Sequence, residues 1–337
     1  MYLMHKENPY SFVSIIMPIK NEERYIERSL AAVLNQDYPS EKLEVLIADG
    51  NSTDDTREKI SEILSGSKIS LKIIDNPTGV VPKALNLGLQ YAKGEIIIRV
   101  DGHCEIQKDY VSVCVEHLFN GEAECVGGSI DTIGESDIAQ AIALAMRSPF
   151  GVGGVAFRVE GEESKFTDSV PFPAYLRKVF DQIGLYDEEM LCNEDDEFNY
   201  RLRKNNGRIL LLHNLRTRYY SRGSLSSLWK QYFRYGLWKV RILQKYPQQM
   251  RPRQFVPLAF VLVLILTVIL AVILPWAWIP LVSLLGVYAL ANLVAAFLIA
   301  SREAWRYFWP LPLAFATIHV GYGLGFLVGL LRFAGSW

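Results

Sequence analysis

The sequence predicts an α/β domain on a mixed, mainly parallel sheet, followed by an interfacial helix and about three transmembrane helices. Three observations predict it. Strand-like and helix-like runs alternate four times between Val13 and Val100. An aromatic and basic stretch with amphipathic spacing covers Ser224 to Tyr246. From Phe255 to Ala300 the chain holds no Asp, Glu, Lys or Arg. The expected division of the 337 residues is therefore a cytoplasmic α/β domain (1–222), an amphipathic interfacial segment (223–254) and a transmembrane region (255–337).

Val13 to Ile19 is a short apolar run holding Pro18, the pattern of a buried strand. Glu22 to Leu34 follows with helical spacing. Leu43 to Ala48 reads as a second strand and runs into Asp49-Gly50-Asn51-Ser52. Ser52 or Thr53 is suited to cap the next helix, with Asp54 and Asp55 near its positive end. Leu71 to Ile74 is a third strand, and Pro82 to Ala92 a helix with proline in its first turn. Glu95 to Val100 is a fourth strand, ending at Asp101. Such alternation specifies a parallel sheet covered on both faces. Ligands bind at the carboxyl ends of its strands. Lys20-Asn21-Glu22, Asp49 to Asp55 and Asp101 to His103 all fall at those ends, so they are expected to converge.

Beyond Val100 the pattern is less regular. Gly127-Gly128-Ser129, Gly151, Gly153 and Gly154 indicate tight backbone near a ligand or sharp turns. Gly151 to Ala156 fits a loose G-x-G-x-x-A dinucleotide fingerprint. No strand precedes it, and Val155 to Val159 reads as a strand, so the fingerprint is rejected. Asn193 to Arg203 reads as a helix whose start is rich in carboxylates.

A hydrocarbon core of about 30 Å needs roughly 20 apolar residues per helix. The uncharged stretch is long enough for two crossings, and a third run extends from Tyr307 to Leu331, interrupted by His319. The expected spans are about 255–274, 279–300 and 310–331. Pro275 and Pro280, with Trp276 and Trp278 between them, mark a turn at a lipid–water boundary. Met1 to Tyr10 is polar and too short for a signal peptide, so the large domain is expected to stay cytoplasmic. Arg251, Arg253, Arg302 and Arg306 fall on that same side if there are three spans. The expected location is the inner membrane. The net charge of -1 argues against nucleic acid as a partner. Four cysteines without a C-x-x-C pair read as reduced thiols.

Three clusters carry chemistry. Asp101-Gly102-His103 can direct a carboxylate and an imidazole at one divalent cation, or can simply close a strand. Asn193-Glu194-Asp195-Asp196-Glu197 can be a negative helix start, or can hold a general base. Four adjacent carboxylates exceed what capping needs, and their repulsion raises at least one pKa. Gln231 and Arg234 can hold a sugar or phosphate at a membrane surface, or can belong to a plain amphipathic anchor.

Val13 to Glu23, Asp49 to Thr56, Asp101 to His103 and Glu194 to Glu197 together resemble family 2 glycosyltransferases, in order and spacing. Asn76-Pro77-Thr78-Gly79, Lys83 to Asn86, Gln231 to Trp238 and three carboxyl-terminal spans resemble its succinoglycan-biosynthesis glucosyltransferases. The resemblance implies a GT-A nucleotide-sugar-binding domain, a UDP-sugar donor, a divalent metal (Mn²⁺ or Mg²⁺) and inversion at the anomeric carbon. Carried over, Pro18 and Glu22 line the nucleoside pocket, Asp49 bonds uracil and Lys83 approaches the diphosphate. Asp101 serves the donor and, with His103, the metal. Asp195 is the catalytic base, and Glu194, Gln231 and Arg234 face the acceptor. His103 departs from the commoner Asp.

The expected activity is transfer of one hexose, with glucose favoured, to a polyprenyl-diphosphate-linked saccharide in exopolysaccharide biosynthesis. Exopolysaccharide assembly proteins are candidate partners. Two alternatives are a polyprenyl-phosphate sugar transferase and a non-catalytic membrane-bound scaffold on the same fold.

Overall fold

The computed structural model describes residues 10–64, 66, 68–158, 163–274 and 276–336. These form two compact units, one from Met1–Asp131 with Gly161–Tyr219 and one from Thr132–Glu160 with Tyr220–Trp337. Pro275 and Val159, invoked above, lie outside the described residues.

The first unit opens with β1 (Val13–Ile19), α1 (Ile26–Leu34), β2 (Leu43–Asp49), α2 (Thr56–Leu64), β3 (Ser70–Asp75), α3 (Val81–Tyr91) and β4 (Ile96–Arg99). It continues through β5 (Cys104–Ile106), α4 (Tyr110–Phe119) and β6 (Cys125–Ile133). After α5 (Asp137–Arg147) and α6 (Pro149–Val152), which belong mainly to the second unit, come β7 (Lys165–Phe166), β8 (Ala174–Leu176), α7 (Lys178–Ile183), α8 (Glu194–Lys204) and β9 (Ile209–Tyr220). Among the described residues nine strands form one sheet in the order β3-β2-β1-β4-β8-β6-β9-β5, with β7 beside β9. β3, β2, β1 and β4 are parallel. β8 is antiparallel to β4 and β6, and β5 and β7 to β9. The sheet is mixed, with its parallel part where the alternation predicted it.

β1 and β2 are buried at every position, as central parallel strands must be. Three of those positions are polar, Ser14, Glu44 and Asp49, and each is satisfied. Ser14 Oγ donates to Glu44 Oε1 at 2.6 Å. The same carboxylate accepts the Lys93 amide at 2.6 Å, and Ser14 Oγ accepts that of Gly94 at 2.7 Å. These bonds tie the turn before β4 to the sheet and remove the cost of burying a carboxylate unpaired.

The register brings the predicted clusters together. Ile19 stands opposite Asp49, and Asp49 opposite Asp75, so three loops leave the sheet side by side. One sequence expectation is corrected at this edge. Ser52 donates to Asp49 Oδ1 at 2.6 Å rather than capping α2. The Thr53 amide donates to Asn21 Oδ1 at 2.8 Å. The helix starts later, at Thr56, whose amide is accepted by Asp54. The acceptor nearest the free amides wins, and Asp54 is closer in sequence to them. A second correction concerns Val155 to Arg158, which forms a turn instead of a strand. Gly153 and Gly154 before it have φ of 69° and 71°, a left-handed pair incompatible with running into an extended strand. At Gly127 and Gly128 the constraint is close packing. A Cβ would meet the Val170 side chain at 2.8 Å and the Leu215 carbonyl at 2.0 Å.

The second unit gathers α5 and α6 with α9 (Leu225–Lys245), α10 (Val256–Ile273), α11 (Trp278–Ala300) and α12 (Pro310–Arg332). Its last three helices, counted as Pro252–Ile273, Trp278–Ala300 and Pro310–Arg332, are long and apolar enough to cross a membrane. Exposed Leu262, Ile269, Val287 and Leu290 on α10 and α11 suit a lipid solvent. α9 packs along α12 at backbone distance. A Cβ on Gly325 would meet the Phe233 carbonyl at 2.1 Å, and one on Gly236 the Tyr322 carbonyl at 2.0 Å. Small residues permit such an approach between helices in lipid. Val240, Leu258 and Phe326 form the buried cluster that adds α10 to the pair. His319, inside the third apolar run, bonds Tyr288 at 3.0 Å and the Phe150 carbonyl at 2.9 Å, which satisfies its half-buried ring.

Candidate active site

The site lies at the carboxyl ends of β1, β2 and β4 and at the start of α8. Asn21, Asn51 and Asn193 all adopt left-handed backbone, with φ of 54°, 58° and 61°. Asparagine tolerates this conformation better than most residues, and three instances at one sheet edge mark sharp loops. Asn21 Oδ1 accepts the Thr53 amide, and the Glu22 amide donates to Thr56 Oγ1 at 2.8 Å. The loops after β1 and β2 are thereby bolted together.

Asp49 is fully buried and its carboxylate is held from two sides. Ser52 Oγ donates to Oδ1, and Arg57 Nε donates to Oδ2 at 2.5 Å. Arg57 also pairs with Asp75, so one guanidinium from α2 spans the ends of β2 and β3. Pro18 is buried in β1, next to Ala48 in register. Lys83 sits half-buried in the first turn of α3. Above Gly79 a Cβ would meet Lys20 Nζ at 2.5 Å, which places a second lysine among these loops.

Glu22 is brought to His103, with its Oε1 2.8 Å from Nδ1. Burial works against a charged ring here, but Tyr219, Glu22 and Asp101 outweigh it and push the imidazole up to about 10. Asp101 is fixed through its backbone, since its carbonyl accepts from Ser29 Oγ at 3.0 Å and Cys104 Sγ at 3.1 Å. Its Oδ1 accepts Arg99 Nε at 2.9 Å.

The donor chemistry at Asp101 and His103 fits a divalent cation. With Nδ1 held by Glu22, Nε2 would serve a cation once the ring has released a proton, as metal binding to histidine requires. Among the described residues no third His, Cys, Asp or Glu completes a protein-only set. Donor oxygens would have to fill the remaining positions, as is common where Mg²⁺ meets substrate phosphates. A cation bound there would offset charge building on a diphosphate leaving group.

The four carboxylates of α8 separate into distinct roles. Glu197 is buried and accepts from Arg201 Nε at 2.6 Å. Glu194, also buried, accepts from Arg99 Nη1 at 3.0 Å. Asp195 keeps part of its surface open, and its Oδ1 accepts the Asp196 amide at 2.8 Å. Burial raises its pKa to about 7, with the Glu194 and Asp196 charges adding to the rise and Arg99 opposing it. Phe198, buried behind this turn, stacks on Tyr186 at 4.5 Å and anchors the helix. Asp195 therefore has the open face and the elevated proton affinity that a general base needs near neutral pH. A base must be ionised, and a raised pKa means that the ionised fraction is lost as pH falls through about 7. The kcat/KM for transfer is expected to drop by about tenfold per pH unit below that point. A flat profile down to about pH 5 would exclude an elevated carboxylate as the base.

Arg99 and Arg57 were missed from sequence. Arg99 was readable, because an arginine closing the run Ile96-Ile97-Ile98 must find an acid when buried. Arg57 gave no signal, since an arginine in the first turn of a polar helix is ordinary. Gln231 and Arg234 belong to the second unit. Gln231 is buried and donates to Tyr235 at 2.9 Å, and its Oε1 has no hydrogen-bond partner, while Arg234 is exposed.

The chain is similar to known proteins over most of its length. The family model for glycosyl transferase family 2 matches residues 14–184. The succinoglycan biosynthesis protein ExoA of Rhizobium meliloti is 31% identical over 95% of this chain and 95% of its own. A dolichyl N-acetyl-α-D-glucosaminyl phosphate 3-β-D-2,3-diacetamido-2,3-dideoxy-β-D-glucuronosyltransferase of Methanococcus voltae is 28% identical over 96% and 98%. The solved mannosyltransferase PcManGT of Pyrobaculum calidifontis, in complex with GDP-Man and Mn²⁺, is similar in fold. Its TM-score is 0.56 at 20% identity, over 94% of this chain and 87% of its own.

Proposed function

The chain belongs to glycosyltransferase family 2, and we propose that it transfers one hexose from a UDP-sugar to a polyprenyl-diphosphate-linked saccharide, with inversion. The observation that carries this reading is the single ion network joining Asp101, at the end of a donor-side strand, to the first turn of α8. A base at Asp195 stands one residue from that network. Asp101 and His103 hold the divalent cation, Mn²⁺ or Mg²⁺. Asp49, steadied by Arg57, faces the nucleoside with Pro18 and Glu22, and Lys83 faces the diphosphate. Glu194, Gln231 and Arg234 serve the acceptor.

Two relatives support a lipid-linked saccharide as the acceptor class. One is named for succinoglycan biosynthesis and one for a dolichyl-linked amino sugar phosphate, and both align with nearly the whole chain. Glucose is the hexose favoured, and exopolysaccharide assembly proteins are the favoured partners. In this reading residues 1–222 form the catalytic domain, 223–254 the interfacial segment and 255–337 an inner-membrane region, with the catalytic domain cytoplasmic. Residues 132–160 group with the carboxyl-terminal helices. Cysteine labelling of intact cells is expected to reach engineered sites near Trp276 and to spare those near Arg302. The reverse pattern would overturn the orientation.

The activity is tested by giving membranes labelled UDP-glucose with two acceptors, a polyprenyl-diphosphate-linked saccharide and a bare polyprenyl phosphate. Label on the lipid-linked saccharide supports the reading. Label on the bare phosphate replaces it with a lipid-phosphate sugar transferase, and no label from any UDP-hexose contradicts catalysis of this kind.

A further inference from the structure

Arg99 is the last residue of β4, and its side chain is only 14% exposed. Its backbone amide donates to the Pro173 carbonyl at 3.0 Å, which fixes where the side chain starts. From there Nε reaches Asp101 Oδ1 at 2.9 Å and Nη1 reaches Glu194 Oε1 at 3.0 Å. The two acceptors sit on opposite partners of the reaction as read above. Asp101 leads the donor-side loop, and Glu194 is the first residue of the helix that carries Asp195.

Glu194 is held at that helix start by Arg99. Asn193 before it is left-handed and makes no side-chain cap. Three carboxylates follow one another at Glu194, Asp195 and Asp196, and they repel. A helix's first turn frays unless its ends are held. Here the hold on Glu194 is a charge-assisted bond in a buried place, where such bonds are strong. Lysine could not replicate it, because a single ammonium lacks the planar fork that reaches two acids at fixed angles.

We propose that Arg99 is a positioning residue that locks the donor-side carboxylate of Asp101 and the acceptor-side carboxylate of Glu194 into one register, so that the base beside Glu194 is aimed at the reacting carbon. This rests on the assignment of Asp195 as the base. Arg99 moves no proton itself. Its loss leaves Glu194 buried without its partner, and the first turn of α8 shifts to relieve it.

The test uses full-length protein in membranes or detergent with the variants Arg99→Lys, Glu194→Gln, Arg99→Gln and the Arg99→Gln/Glu194→Gln pair. Misplacement of a reacting group by about 1 Å costs about 10²-fold in rate. A loss of that size in kcat is therefore expected for Arg99→Lys and for Glu194→Gln, with KM for the UDP-sugar unchanged. The double variant is expected to lose no more than Arg99→Gln alone, since both break one joint. Wild-type kcat in Arg99→Lys would overturn the proposal, because charge alone would then suffice. So would losses that multiply in the double variant, or a change confined to KM. Glu194→Gln keeps the question open to refutation if the arginine variants fail to fold. Asp195→Asn in the same assay separates the two readings. If it turns over normally, the base assignment falls and this role with it. If it is inert while Arg99→Lys is fully active, only the role of Arg99 falls.

Discussion

Asp195→Asn is expected to bind UDP-sugar normally and to lose turnover by about 10²–10⁴-fold, the usual contribution of a general base. The structure narrows the choice among four adjacent acids. Glu197 is committed to Arg201 and Glu194 to Arg99, and both are buried. Asp195 keeps an open face, and its proton affinity is raised mainly by burial, with like charges on either side. Asparagine preserves the acceptor that holds the Asp196 amide, so the helix start survives. It cannot take a proton from the acceptor hydroxyl. Steady-state kinetics with a parallel UDP titration check the outcome. Near-normal turnover would move the base to Asp196.

The second large effect concerns the donor side. Asp101→Ala is expected to abolish transfer, and excess chelator is expected to silence the wild type until Mn²⁺ or Mg²⁺ is restored. The reason is charge. Leaving diphosphate needs positive neighbours, and the site is rich in acids: Glu22, Asp49, Asp101, Glu194, Asp195 and Asp196. Arg99 is shared between two of these acids, and Arg57 between Asp49 and Asp75. His103 is bonded to Glu22 and so brings no spare charge either. Neither arginine therefore has charge to spare for the diphosphate. A divalent ion bound by Asp101 and His103 would supply it. Alanine at 101 would also release Arg99, so the metal requirement is read separately, from titration of chelated wild-type enzyme with each cation. Full activity in excess chelator, with metal-free donor, would refute the metal while leaving Asp195 untouched.

Much of this was written in the chain as pattern. β1 to β4 followed from apolar runs that end at polar clusters, and their parallel register follows from the intervening helices. The convergence of Glu22, Asp49 and Asp101 was legible for the same reason, because strand ends in a parallel sheet share one edge. The apolar helices were legible from missing charge. What escaped was set by tertiary choice. Ser52 and Asp54 are both good caps, and only the position of Asp49 decides that Ser52 turns toward it. The bond between Glu22 and His103 had no local signal, because it arises where the loops after β1 and β4 touch. The packing of residues 132–160 with helices far along the chain has no local signature.

The central claim is a single in-line displacement in which Asp195 deprotonates the attacking hydroxyl. The anomeric configuration of the product tests it most directly. With an α-linked UDP-hexose and purified full-length enzyme, nuclear magnetic resonance of the extracted lipid-linked product is predicted to show a β-linkage. An α-linkage would contradict the account, because retention requires a second displacement for which Asp195 as a simple base has no part.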